Sequence, residues 1–256
     1  MCATMATMHT DTELAVSAAR EAGEALLRIR ADGAASADAL GRAGDLGANA
    51  RILDRLHAAR PGDAILSEES VDDPVRLTSD RVWIVDPLDG TREFVVAGRT
   101  DWAVHVALWT REGGLTAGAV VLPALGRTLS TDDAPNRLAR VDAVPRILVS
   151  ASRAPAFTAE LCAALGGRIM TMGSAGAKAM AVVRGEADAY VHGGGQWEWD
   201  SAAPVAVARA HGMWCSRLDG TPLLYNQPHP YLPDLVICRP ELTDPVLEAL
   251  QQLGLA

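Results

Sequence analysis

Cysteine is scarce in this 256-residue chain: Cys2, Cys162, Cys215 and Cys238 are scattered and form no CxxC pair. Zinc-ribbon or iron–sulfur ligation therefore has no support. No disulfide framework is indicated, so a reducing cytoplasm is the expected compartment. Long apolar runs are missing too. None approaches the roughly 20 residues that span a bilayer, and MCATMATMHTD lacks the basic-then-apolar order of a signal peptide. Positive charge is in deficit, with 23 Lys and Arg against 32 Asp and Glu, a net charge of −9. Such a chain binds nucleic acid polymers and anionic membranes poorly. A small anionic substrate is still admissible if metal ions sit in the site. Lysine is reduced to one residue, Lys178, with arginine elsewhere. Alongside so much alanine this is mainly composition bias, but it singles Lys178 out. Several nucleotide, metal and hydrolase signatures are also absent. GSAGAK (173–178) is not a P-loop, the glycines at 193–195 do not complete GxGxxG, and there is no HExxH or GxSxG. An EF-hand loop through Asp89-Gly90 would need an acid at 85, which is valine.

What is present is ordinary globular composition, 49% hydrophobic and 21% charged, with length for one large or two smaller domains. Residues 1–10 are expected to be a loose tail. Leu14, Ala18, Ala22, Ala25 and Ile29 share one helical face, and Asp11 is placed to cap that helix. The Ala/Gly-rich stretch 31–45 reads as a loop, and 46–60 as a second helix stopped by Pro61-Gly62. Short β-type runs follow at 64–67, 81–85, 103–109 and 115–122. The polar stretch 131–145 carries two prolines and is taken as the domain boundary. Beyond it, strands at 146–150, 168–171, 187–191, 213–216 and 234–238 alternate with helices at 155–165, 175–184, 201–212 and 243–253. That rhythm predicts an α/β layer.

The tetrapeptide LDGT occurs twice, at 88–91 and 218–221. At the first copy Asp86 precedes by three residues and directly follows the strand RVWIV; Pro87 and Gly90 shape the turn, and Thr91 opens the helix TREFVVA. Free N–H groups at that helix start suit a phosphate. Two carboxylates this close repel unless a hard cation with oxygen ligands compensates. Glu68 and Glu69 close another strand, and Asp200 precedes a helix as a natural N-cap. Taken singly, each acid has a plain reading as cap, turn or solvated face. The second LDGT has Ser216 where the first has its extra acid, and SRLDGTPL reads as a hairpin turn.

SEES (67–70), WIVDPLDGTREF (83–94) and WDSAAP (199–204), after an upstream GDL at 44–46, resemble the inositol monophosphatase superfamily of magnesium-dependent, lithium-sensitive phosphatases. The resemblance covers almost the whole chain. Within the superfamily, GSAGAKAMAVVRGEADAYVH (173–192), GGQWEWDSAAP (194–204) and YNQPHPYLPDLVICRPEL (225–242) are most similar to the bacterial CysQ group, the 3′(2′),5′-bisphosphate nucleotidases. The implied fold is a layered αβαβα sandwich. An α+β domain over 1–138 would carry most metal ligands, and an α/β domain over 139–256 would complete the site and bind the nucleoside. The implied activity removes the 3′-phosphate of 3′-phosphoadenosine 5′-phosphate, a by-product of sulfate assimilation, to give AMP. Inositol monophosphatase or fructose-1,6-bisphosphatase activity is the alternative, with a non-catalytic sensor as a third. The resemblance is also compatible with a homodimer.

The resemblance implies two or three Mg2+. Glu68, Asp86 and the Leu88 carbonyl would hold the first; Asp86, Asp89 and Asp200 the second; a third would share Glu68. Asp45 would pair with the Thr91 hydroxyl to orient the attacking water, Gly90 and Thr91 N–H groups would grip the phosphate, and Glu69 would stand behind the ligands. Lys178 matches the phosphonucleotide-binding lysine and is otherwise a helix-surface lysine. Ser174, Arg153 and His192 are further, weaker candidates for substrate contact. Two departures stand out. DLGANAR (45–51) lacks the family's threonine and second aspartate, and Ala177 stands beside Lys178 where the group often has an aromatic; Gly193, where inositol monophosphatases usually carry a sugar-contacting glutamate, favours the nucleotidase group.

Overall fold

The computed structural model describes residues 9–135 and 144–255. Helix α1 (Asp11–Asp32) starts at a capping box: the Thr10 hydroxyl accepts the Glu13 N–H, and the Glu13 carboxylate accepts the Thr10 N–H. Thr10 is therefore the cap and not Asp11, as the sequence suggested. The Asp11 carboxylate instead accepts from Arg60 and Arg81, tying α1 to neighbouring elements. Helix α2 (Ala37–Ala59) is capped by Ser36 and begins well inside the stretch expected to be a loop. Glycine is a poor helix former by about 1 kcal/mol, but here its missing side chain permits contact. A Cβ on Gly44 would lie 2.9 Å from both Leu88 and Phe94, and one on Gly41 2.9 Å from Thr91. Close approach of α2 to the turn around Leu88 overrides local propensity.

The first sheet runs β1 (Ala64–Ser67), β2 (Arg81–Asp89), β3 (Ala103–Thr110), β4 (Gly114–Leu122) and β5 (Arg127–Ser130) in spatial order. Only β1 and β2 are parallel; the later pairs are antiparallel. β5 has too short an apolar pattern to be read in the sequence. Strand alternation sorts the side chains. Trp83, Val85, Val104, Val106 and Leu108 enter a core with α1 and α2, while Val82, Ile84, Ala103 and Ala107 enter a second core on the opposite face. Asp86 and His105 have the parity of that second face and are direct cross-strand partners.

The second sheet contains β6 (Arg146–Ser150), β7 (Arg168–Met172), β8 (Ala189–Trp197), β9 (Trp214–Ser216) and β10 (Tyr231–Cys238), ordered β7-β6-β8-β10-β9. β8 runs beyond the expected end at 191 because β10 pairs with it as far as Tyr231 opposite Trp197. Helices α5 (Ala175–Val183) and α6 (Glu198–Ala210) lie between the sheets, whereas α4 (Thr158–Ala164) and α7 (Thr243–Gln252) cover the outer face of the second. The layers are thus αβαβα, as the resemblance implied. Strands through Ser130 belong to the first sheet and strands from Arg146 to the second. The expected division between 138 and 139 lies outside the described residues. The turn at 218–220 is present, but β9 and β10 are separated by a long connection, so SRLDGTPL is not the tight hairpin expected.

The central layer is thin because α6 is built of small residues. Ala202, Ala203, Ala206 and Ala208 are buried against the sheets. A Cβ at Gly118 of β4 would lie 3.0 Å from Ala206, which leaves no space for a branched side chain. Gly118→Val should destabilise the fold by ~1–3 kcal/mol through overpacking, read as a lower urea midpoint. It should also reduce activity, since α6 carries Asp200. An unchanged midpoint would mean that α6 is not seated this tightly.

Candidate active site

β2 continues through DPLD, so Asp86 and Asp89 belong to the strand and not to a turn after it. The register slips between them, which brings both carboxylates to the second-core side. The chain then turns at Gly90, where φ is 91°, and enters the short helix α3 (Thr91–Phe94). This helix is shorter than the seven-residue TREFVVA read from the sequence. Glu68 follows the parallel neighbour β1, at the same edge. Asp200 arrives from the central layer, in the first turn of α6. Its N-cap is Trp197, not Asp200: the Asp200 carboxylate reaches back 2.6 Å to the Trp197 N–H. Oxygens of Asp86, Asp89 and Asp200 lie within 4.8 Å of one another, a spacing one cation could bridge.

These three acids, with Glu68, Leu88, Gly90, Thr91, Ser174 and Lys178, line one cleft of about 300 Å3. Arg153 and His192 line it as well. Asp45 and Glu69 stand beside it. The Thr91 hydroxyl is 3.2 Å from Asp45 Oδ1 and 3.3 Å from the Leu88 carbonyl, to either of which it donates. Lys178 is not on a helix surface. It is buried, donates from Nζ to the Gly173 and Ser174 carbonyls at 3.1 and 2.6 Å, and lies 5.1 Å over the Tyr190 ring.

The carboxylates differ sharply in protonation. Burial first, then the charges of Glu68, Asp89 and Asp200, push the Asp86 carboxyl well above the usual range. Glu68 is solvent-facing as a residue, yet its carboxyl is desolvated within the cleft. That, followed by the charge of Asp200, raises it to about 7. Asp200 rises to about 6 through burial and the charge of Asp89. Asp45 also rises to about 6, through burial and Glu69, against the hydrogen bond from Thr91. Asp89 is the exception. Burial acts upward on it as well, but His105, Lys178 and the Ser174 hydroxyl outweigh burial and hold it at about 2. Its carboxylate accepts from the Ser174 hydroxyl and from the Ala175 and Gly176 N–H groups at 3.1 and 2.7 Å, the opening of α5. Burial lowers Lys178 to about 8, opposed by Asp89, so its ammonium persists at neutral pH.

Oxygen donors, three within reach of one cation, and carboxyls pushed up by burial and then by one another's charge: this donor set suits a hard divalent ion. Sequence reasoning missed two neighbours. Asn49 on α2 accepts the Ser67 hydroxyl at 2.8 Å and donates to Ser70, bracketing the Glu68–Glu69 pair. His105 is the other; its signal was a lone polar residue in AVHVALW on the parity of Ala103 and Ala107.

The pKa pattern predicts how the metal-free protein responds to pH. Asp45, Glu68, Asp86 and Asp200 are all raised, so their stabilising contribution is full below about pH 4 and is lost as pH rises through about 6–7. Glu198, raised to about 7 by burial, adds to this in the same sense, whereas His192 is lowered by burial and acts in the opposite sense as pH approaches 6.5. In chelator, the melting temperature should therefore fall by several degrees between pH 5 and 7.5, at about 2–4 °C per kcal/mol for a chain of this size. Asp86→Asn should flatten that slope, and saturating divalent cation should reduce it to the part due to Glu198, which lies outside the cleft. A metal-free stability that rises across this window would contradict the site.

A profile of the inositol monophosphatase family matches residues 7–254. The chain is 53% identical over 256 residues to the 3′-phosphoadenosine 5′-phosphate phosphatase of Mycobacterium leprae, covering 95% of this chain and 94% of that protein. It is 32% identical over 234 residues to the 3′(2′),5′-bisphosphate nucleotidase CysQ of Escherichia coli K12, covering 84% and 93%. Among solved structures, CysQ from Bacteroides thetaiotaomicron superposes with a TM-score of 0.78 at 26% identity, over 90% of this chain and 97% of that one. With a family match spanning nearly all its length and relatives this similar, the chain belongs to the inositol monophosphatase family.

Proposed function

We propose that this phosphatase is magnesium-dependent and removes the 3′-phosphate of 3′-phosphoadenosine 5′-phosphate, leaving AMP. The observation that carries the reading is the meeting of Asp86, Asp89 and Asp200 in the cleft that also holds Thr91 and Lys178. The similarity to the Mycobacterium leprae phosphatase supports the substrate. Asp86, Asp89 and Asp200 would hold one Mg2+; Glu68, Asp86 and the Leu88 carbonyl would hold another. When bound, such ions supply Lewis acidity toward phosphoryl oxygens and lower the pKa of water.

The chain's own groups do the rest. Thr91 and Asp45 form a hydroxyl–carboxylate pair at the cleft edge, positioned to hold a water and take up its proton. Gly90 and Thr91 wall the place of the transferred phosphate. Lys178 uses two of its three N–H donors on carbonyls, leaving the third for a substrate phosphate oxygen. Arg153, on the rim, is a second cation for a substrate with two phosphates. Position 193 disfavours a sugar phosphate. Gly193 has no carboxylate to offer, and a Cβ there would lie 3.1 Å from the Phe157 ring. The cytoplasm is the proposed setting, supported by the free thiols of Cys162, Cys215 and Cys238.

With Mg2+ present, kcat/KM should favour 3′-phosphoadenosine 5′-phosphate over inositol 1-phosphate and fructose 1,6-bisphosphate by at least about tenfold, or ~1.4 kcal/mol. A reversed order would transfer the assignment to a sugar phosphatase, and a folded protein with no turnover on any of the three would end it. Asp86→Asn should cost ~10²–10³-fold or more in kcat, the scale of losing one electrostatic partner of the transition state. Asp219→Asn is the control. Asp219 only accepts from the Thr221 N–H and hydroxyl in its own turn, so rates should be unchanged.

A further inference from the structure

His105 is completely buried, which is costly for a group with two polar nitrogens unless both have work to do. Its Nδ1 lies 3.2 Å from the Trp199 carbonyl. A carbonyl can only accept, so Nδ1 carries a hydrogen. Its Nε2 has no aligned hydrogen bond, yet it lies 3.2 Å from Asp89 Oδ2. On its own sheet the residue stands directly opposite Asp86, with Nδ1 4.0 Å from Asp86 Oδ2. α5 makes room for the ring: a Cβ at Gly176 would fall 2.0 Å from Nε2, so no other residue fits there while the ring stays in place.

We infer that His105 is a positioning residue that sets the three carboxylates of one cation site relative to one another, an inference that rests on the two-cation reading above. The geometry singles it out. Asp89 is held from behind by donors that all belong to the start of α5, namely the Ser174 hydroxyl and the Ala175 and Gly176 N–H groups. Those contacts fix Asp89 to the central layer only. His105 contacts the same carboxylate from the first sheet, where Asp86 is its cross-strand partner. Through the Trp199 carbonyl it also holds the residue next to Asp200 in the first turn of α6. One rigid ring thus links the strand bearing Asp86, the carboxylate of Asp89 and the backbone bearing Asp200. Glu68 has no contact with it, so the other cation site, which relies on Glu68, Asp86 and the Leu88 carbonyl, should be affected less.

The test is a calorimetric titration of the whole, metal-free protein with Mn2+, with kcat/KM measured in parallel. His105→Asn keeps a donor near the Nδ1 position for the Trp199 carbonyl but leaves Asp89 without its sheet-side partner. We expect the second of two Mn2+ sites to weaken at least tenfold in His105→Asn while the first changes little. In His105→Gln, whose longer amide reaches toward Asp89, part of the loss should be recovered. Gly176→Ala leaves His105 and every carboxylate in the chain but displaces the ring, and should reproduce the selective loss even if the His105 variants fold poorly. Two Mn2+ sites of wild-type affinity in folded His105→Asn and Gly176→Ala would overturn the inference. So would a lower melting temperature with both affinities intact, the mark of a merely structural histidine. If wild-type protein took up no Mn2+ and had no phosphatase activity, the two-cation reading itself would fail, a different result from either of these.

Discussion

Like charges brought together away from water are the constraint on which this structure turns. Glu68, Asp86, Asp89 and Asp200 come from different places in the chain and meet in one cleft. The fold meets the cost in two ways. Asp89 is kept ionised by His105, Lys178 and the Ser174 hydroxyl, and its carboxylate is also bonded by N–H groups at the opening of α5. The other three hold their protons to higher pH than an ordinary carboxyl, so less charge accumulates while no cation offsets it. The fold therefore keeps one fixed anion beside three adjustable ones, which is a suitable resting state for a site whose charge is to be cancelled by cations.

The layering provides the rigidity that this arrangement needs. Asp86 and Asp89 are on the first sheet, Asp200 and the donors to Asp89 are on the helices between the sheets, and α6 packs so closely that a side chain at Gly118 would press on Ala206. Further ties act at a distance from the carboxylates. Arg76 is buried and donates to Asn226 and the Gln227 carbonyl, while buried Glu198 accepts the Asn226 and Gln227 N–H groups. That knot fixes the first turn of α6 two residues before Asp200. The cleft is a by-product of close packing on three sides.

Much of this was legible in the sequence, for identifiable reasons. Asp86 stood out because an acid three residues before another, at the end of an apolar strand, has few purely structural uses. LDGT at 218–221 was correctly read as a turn, since Asp219 accepts only from Thr221. The errors share one cause: tertiary contacts overrode local signals. Gly41 and Gly44 looked like loop residues because their role is to let Thr91, Leu88 and Phe94 approach the helix. Asp200 looked like a cap because no local rule shows that the helix begins at Glu198. The extension of β8 across 193–195 depends on β10, 30 or more residues away in sequence. His105 passed unnoticed because a single polar residue in a strand has meaning only once its facing partner is known.

The bond between Asp89 and the start of α5 joins residues 85 or more apart in the chain. During synthesis, Glu68, Asp86 and Asp89 leave the ribosome before the groups that tame them, Ser174 through Gly176 and Lys178, exist. Of the first sheet's own groups, His105 of β3 lies beside Asp89, and the rest of the compensation awaits the second half of the chain. The cleft therefore exists only in a chain that carries both halves, since its walls and the partners of Asp89 come from each.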